Sequence, residues 1–144
     1  MIVGLGYTAE WVGVHKAWLF GSYNYGDTFG FKWHAVPLIV GVNWFLLVYG
    51  TGVLLQRTVK SGIIVRLFYG GLLLVLLDFL IEPVAIRDNY WHWTDNVIPI
   101  KNYVTWFIVS VIMLFIFEKF RFKKQGLAGP VLVIAQFVFF GLQF

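Results

Sequence analysis

One apolar run, Ile63 to Ile86, carries two acids in its second half, Asp78 and Glu82, and nothing else in the sequence constrains the fold as strongly. The run is long enough to cross a bilayer as a helix, which takes about 20 residues. An acid at membrane depth costs about 2.5–3.5 kcal/mol on insertion scales, so acids there usually have a use. Only 12% of the 144 residues are charged and 60% are hydrophobic, against about 25% charged in a soluble domain. With a mean hydropathy of +0.79, such a chain lacks the polar surface a globule in water needs. The expected fold is an all-α integral membrane protein, a bundle of about five transmembrane helices in a single domain.

The five spans are expected at about 2–20, 35–55, 63–86, 100–117 and 127–144. The first is the most polar, with Thr8, Glu10, His15 and Lys16. Its small residues Ala9, Gly13, Ala17 and Gly21 recur every four positions, a stripe that lets membrane helices approach closely. Glu10 lies about 100° from Ala9 around the helix, so it is expected to point into the bundle. Pro37 and the Gly129–Pro130 pair fall in first turns, where a missing N–H does no harm. Gly70 and Gly71 suggest a further close helix contact. The connections at 21–34 and 87–99 are aromatic and polar, as membrane interfaces are.

Arg57, Lys60, Arg66, Lys119, Arg121, Lys123 and Lys124 cluster around the second and fourth connections. The first and third hold Lys16, Lys32, Arg87 and Lys101. That bias predicts a cytoplasmic N-terminus and places Asp78, Glu82 and both aromatic loops toward the outer side of a cell membrane. A net charge of +4 scattered among span ends fits anionic headgroups better than nucleic acid, and no nucleic-acid partner is expected. There are no cysteines, which excludes disulfides and thiolate metal sites.

Asp78 and Glu82 are four residues apart and share a helix face, with Cα atoms about 6 Å apart along the axis. Two such carboxyls out of water are not both ionised and hold one proton between them. They then supply a neutral acid and a carboxylate together, as general acid–base chemistry requires. Pro83 removes a backbone donor and disfavours α geometry at Glu82, so a kink or early helix end is expected to open space beside the acids. The competing reading is a structural ion pair with Arg66, Arg87 or Lys101. Glu10 is the natural third acid, with Lys16 as a nearby basic partner. Asn43 and Asn102 can orient a water or a carboxyl, or simply bond between helices.

Tyr90, Trp91, Trp93, Tyr103 and Trp106, with Trp11, Trp18, Trp44, Tyr23 and Tyr25, lie mostly near span ends. An interfacial belt accounts for such residues. A groove for a long flat hydrocarbon, with ring faces stabilising a transient cation, is the functional counterpart. His15, His34 and His92 form no HxxxH or HxxHH box, and no Walker, Rossmann or GxSxG motif occurs. No metal and no cofactor is expected.

The ordered segments AEWVGVHKAWLFGSYNYG, VPLIVGVNW, LDFLIEPVAIRDNYWHW and IPIKNYVTWF resemble the membrane-bound carotenoid biosynthesis proteins of bacteria and archaea, the CruF-type carotenoid hydratases. The family's acidic D-x-x-x-[ED]-P block falls on Asp78, Glu82 and Pro83, its tryptophan pair on Trp91 and Trp93, and its I-P-x-x-N-[YF]-x-x-W segment on Ile98, Pro99, Asn102, Tyr103 and Trp106. The likeness covers about residues 10–117. It implies addition of water across a terminal C=C bond of an acyclic carotenoid or other isoprenoid lipid, giving a tertiary alcohol without a redox cofactor. Under that implication Asp78 is the proton donor and Glu82 the cation stabiliser or base, or the two with roles exchanged, with Glu10 a supporting acid and Asn102 the water-orienting group. Asn43, Tyr90, Trp91, Trp93, Tyr103 and Trp106 line the substrate. Family members carry further spans before the AEW block, so N-terminal helices of the family are expected to be missing from this sequence. The contrasting expectation is a non-enzymatic pigment- or lipid-binding scaffold or small carrier.

Overall fold

The computed structural model describes residues 1–120 and 125–144. Five α-helices carry the fold: α1 (Ile2–Lys16), α2 (Leu38–Thr58), α3 (Ile63–Arg87), α4 (Ile100–Lys119) and α5 (Ala128–Gln143). Among the described residues α2, α3 and α4 are long and apolar enough to cross a membrane, and α5 is a shorter apolar helix. Their outer faces expose Phe45, Phe68, Leu72, Ile108 and Val138, as a lipid-facing surface requires. The sequence expectation of an all-helical membrane protein therefore stands. Arg121, Lys123 and Lys124 of the expected basic connection lie outside the described residues.

α3 and α4 pack antiparallel. Arg66 is bonded to Glu118 at one end, and Asn102 to Asp78 and Glu82 at the other. Gly70 and Gly71 make the close contact expected of them, because an added Cβ would meet Leu114 at 2.5 Å and Phe107 at 2.7 Å. α5 runs back along α2 and ends against α3, where Arg87 donates to the Gln143 side chain at 2.7 Å.

The polar connections are not loose loops. The segments β1 (Tyr23–Tyr25) and β4 (Trp91–Trp93) pair antiparallel, Tyr23 opposite Trp93 and Tyr25 opposite Trp91. Side chains alternate across a strand, so the four aromatics share one face and Asn24 and His92 lie exposed on the other. A second ribbon joins β2 (Lys32–Trp33) to β3 (Val36–Pro37). Its two-residue turn holds His34 and Ala35 at φ 44° and 62°, the left-handed pair that matches the twist of a tight hairpin.

Two sequence expectations change. The first helix stops at Lys16 rather than near residue 20, with Ala17 left-handed at its end. Both ends of α1 contact the ribbon end of the bundle. Tyr7 donates to the Trp33 carbonyl at 2.6 Å, Gly41 in the first turn of α2 lies against Val3 and Tyr7, and Lys101 reaches the Ala17 carbonyl. Within this 15-residue helix Thr8 donates back to the Gly4 carbonyl, and Glu10 finds its polar partners at the ribbon end. Pro83 does not end α3, which continues to Arg87. It is exposed, on a different face from buried Asp78 and Glu82, so the space beside the acids has another origin.

Candidate functional site

Beneath the β1–β4 ribbon lies a cavity of about 250 Å³, which all five helices help to line. Its polar floor comes from α3 and α4. Asp78, Glu82 and Asn102 are each only 1% exposed. One amide nitrogen, Asn102 Nδ2, donates to Asp78 Oδ2 at 2.8 Å and to Glu82 Oε1 at 3.2 Å. The other oxygen of Glu82 accepts from Trp91 Nε1 at 2.9 Å and Trp93 Nε1 at 2.8 Å. Helical spacing puts the two acids on one face, and the ribbon then lowers two indole N–H groups onto the outer one.

Glu10 forms a second polar cluster at the same cavity. Tyr23 and Tyr25 hydroxyls donate to its Oε2 at 2.6 and 2.7 Å, and Trp44 Nε1 donates to Oε1 at 2.8 Å. The approach of α1 to Trp44 depends on Gly6, where a Cβ would stand 2.5 Å from that of Trp44. Burial lifts both phenols well above the ordinary tyrosine range, and the charge of Glu10 adds to the lift. They therefore remain donors through neutral and mildly alkaline pH.

Among the described residues none of the three acids has an ion-pair partner. Among the described residues the ion pairs are Lys32–Asp27, Arg66–Glu118 and Arg87–Asp88, and Lys101 bonds a carbonyl. Arg66, Arg87, Lys101 and Lys16, the basic candidates weighed against the acids, are not their partners. Neutral N–H and O–H donors hold these carboxyls instead, which leaves their proton chemistry free of a fixed countercharge. No group of three metal-ligating side chains occurs among the described residues.

Asn43, Tyr90, Trp91, Trp93 and Trp106 line the cavity with the acids. Trp106 stacks on Trp44 at 4.2 Å between centroids, and Tyr90 stacks on Phe29 at 4.5 Å. Tyr103 is not brought there. It packs against Phe79 on the outer side of α3 and α4. Sequence reasoning placed Tyr23, Tyr25 and Trp44 in an interfacial belt and passed over Gln136 and Phe140, all of which line the cavity. The signal for the tyrosines was present as the period-two pattern of Tyr-Asn-Tyr and Trp-His-Trp, which marks strands.

Fold and site together define a helical membrane protein with an acid-bearing, aromatic-walled pocket suited to an apolar molecule. The model of the carotenoid biosynthesis protein family matches residues 1–142, and the chain belongs to that family. It is similar to the bisanhydrobacterioruberin hydratase of Haloarcula japonica, 28% identical over 128 residues that cover 84% of this chain and 43% of that protein. The chain thus spans about two fifths of the length of that relative. No solved structure matches it.

Proposed function

We propose that this protein hydrates a terminal C=C bond of an acyclic carotenoid, acting in the cytoplasmic membrane of a prokaryotic cell. The observation that carries the reading is the Asp78–Asn102–Glu82 bridge in a buried aromatic cavity. Glu82 accepts three N–H donors and Asp78 one. Donors favour the ionised form of the group they bond, so the proton shared by the pair is assigned to Asp78 and the charge to Glu82.

The reaction follows from that assignment. Asp78 gives its proton to the less substituted alkene carbon. The π bond becomes a C–H bond and leaves a tertiary cation. The Glu82 and Glu10 carboxylates and the faces of Trp44 and Trp106 stabilise the cation. A water oxygen bonds to the cationic carbon and its proton passes to Glu82. Transfer from Glu82 to Asp78 restores the pair, so one water is added and no electrons are exchanged. Asn102 commits its amide nitrogen to both carboxyls and fixes their geometry. The cavity has room for roughly eight water-sized groups at about 30 Å³ each, which suits one or two isoprene units rather than a whole polyene. The supporting comparison is the name of the Haloarcula japonica relative, a hydratase.

The test is expression in cells that accumulate lycopene, with mass analysis of the extracted pigments. Wild type is expected to yield pigment heavier by one water, and Asp78→Asn and Glu82→Gln to leave lycopene unchanged. Pigment bound stoichiometrically and recovered intact from wild type would replace the hydratase with a carotenoid-binding scaffold.

A further inference from the structure

Gln136 is the only polar side chain between Pro130 and Gly141. It lines the acid cavity, and its Oε1 is buried with no hydrogen-bond partner among the described residues. A buried acceptor left unmade costs about 1–3 kcal/mol, and nothing in the packing of α5 requires an amide at this point. Asn43 of α2 lines the same cavity. Its side chain also bonds to no described residue, whereas many of the other polar groups of the site are spoken for. Asn102 Nδ2 is held by the two acids, the indole N–H groups of Trp44, Trp91 and Trp93 by Glu10 and Glu82, and the hydroxyls of Tyr23 and Tyr25 by Glu10.

Hydration needs a water whose lone pair faces the cationic carbon, and a buried water is held by two to four polar partners. An amide carbonyl accepts one of its hydrogens, an amide N–H donates to its second lone pair, and a carboxylate takes the proton that is lost. Gln136 and Asn43 are side-chain amides of this cavity whose N–H₂ groups bond to no described residue, and the Gln136 carbonyl is buried without a donor. We propose that they hold the attacking water, Gln136 Oε1 accepting from it and Asn43 Nδ2 donating to it. The assignment rests on the hydration reading above. It moves the water-orienting role, expected of Asn102, to residues on α2 and α5, and makes Gln136 a positioning residue for the second half of the reaction only.

That separation supplies the test. Membranes carrying the protein are incubated with lycopene in D2O, and both product and recovered lycopene are analysed for deuterium. Wild type delivers a deuteron and then water, so label accumulates in the alcohol. Gln136→Leu still delivers the deuteron, but its cation lacks water and returns to alkene by losing a proton from an adjacent carbon. Hydrated product is expected to fall by at least about tenfold, the loss of one hydrogen bond to the reacting water, while label appears in recovered lycopene. Gln136→Glu, which keeps a carbonyl acceptor when protonated, is expected to restore hydration. Hydration by Gln136→Leu within about twofold of wild type would overturn the proposal, since no hydrogen bond to the water would then be at stake. So would loss of label uptake together with hydration, which would place Gln136 in proton delivery or in the fold. Wild type showing neither label nor added water is a separate result, and it overturns the hydration reading itself.

Discussion

The two ends of the bundle are built from the same helices on opposite principles. Toward the ribbon, α3 and α4 present Asp78, Glu82 and Asn102 to an open cavity, and each buried acid is matched to specific donors. Toward the basic connections the same helices close without space. A Cβ on Gly52 would meet the Phe117 ring at 2.4 Å and one on Gly70 would meet Leu114 at 2.5 Å. Two hydroxyls there, Thr51 Oγ1 and Ser110 Oγ, are buried without a partner among the described residues. The carboxyls are tolerated at the first end because each accepts from N–H or O–H donors, and the packed second end holds together the helices that carry them.

The sharpest way to break this contrast is Asp78→Asn. The loss of turnover is expected to be about 10²–10⁴-fold, the usual contribution of a positioned acid. Thermal unfolding in detergent should move little or upward, because the change removes an ionisable group from a buried site without changing its volume. A large fall in melting temperature would mean that the acids hold the fold together.

The reciprocal change is Gly52→Ala. Overpacking against Phe117 is expected to cost about 2–3 kcal/mol of stability, with hydration per folded molecule close to wild type. If activity per folded molecule fell as far as stability, the two ends would not be separable.

Much of this division was legible in the sequence, and the reason is energetic. Apolar length located the helices, and α3 and α4 fall within about two residues of their expected bounds, the usual uncertainty of a helix end. The cost of burying charge singled out Asp78 and Glu82, and four-residue spacing put them on one face. What was not legible depends on pairing across the chain. Nothing local joins Tyr23–Tyr25 to Trp91–Trp93, so aromatics that bond the acids resembled an ordinary belt. Pro83 was read by its backbone chemistry alone, and which face it occupies is decided by what α3 packs against. Gln136 was overlooked because an amide costs less than a carboxylate in an apolar helix, although the same argument applies to it in weaker form.

The ribbon donors permit a smaller test. Trp93→Phe removes one of three N–H groups on Glu82 and keeps the ring that packs on Tyr23 at 5.1 Å. A hydrogen bond to a charged group is worth about 1.5–3 kcal/mol, so kcat is expected to drop about tenfold with KM little changed. A rise in KM alone would make Trp93 a wall of the pocket and nothing more.

The smallest effect is expected at Tyr25. Glu10 keeps Tyr23 and Trp44 when Tyr25→Phe removes a half-buried donor, so the loss should be about 1 kcal/mol, or roughly fivefold in rate. Its pH signature is more telling than its size. A phenol raised above its unfolded value of about 10 contributes stability that is fully present below that pH and is lost as pH rises through the folded value. Both Tyr23 and Tyr25 are raised in this way by burial and by Glu10. Their tyrosinate absorbance should therefore emerge only with alkaline unfolding, well after exposed tyrosines have titrated, and each Tyr→Phe change should delete part of that late component. Early, reversible titration of either residue would show that the ribbon lies open to water, and the sealed end of the molecule would then be the packed one alone.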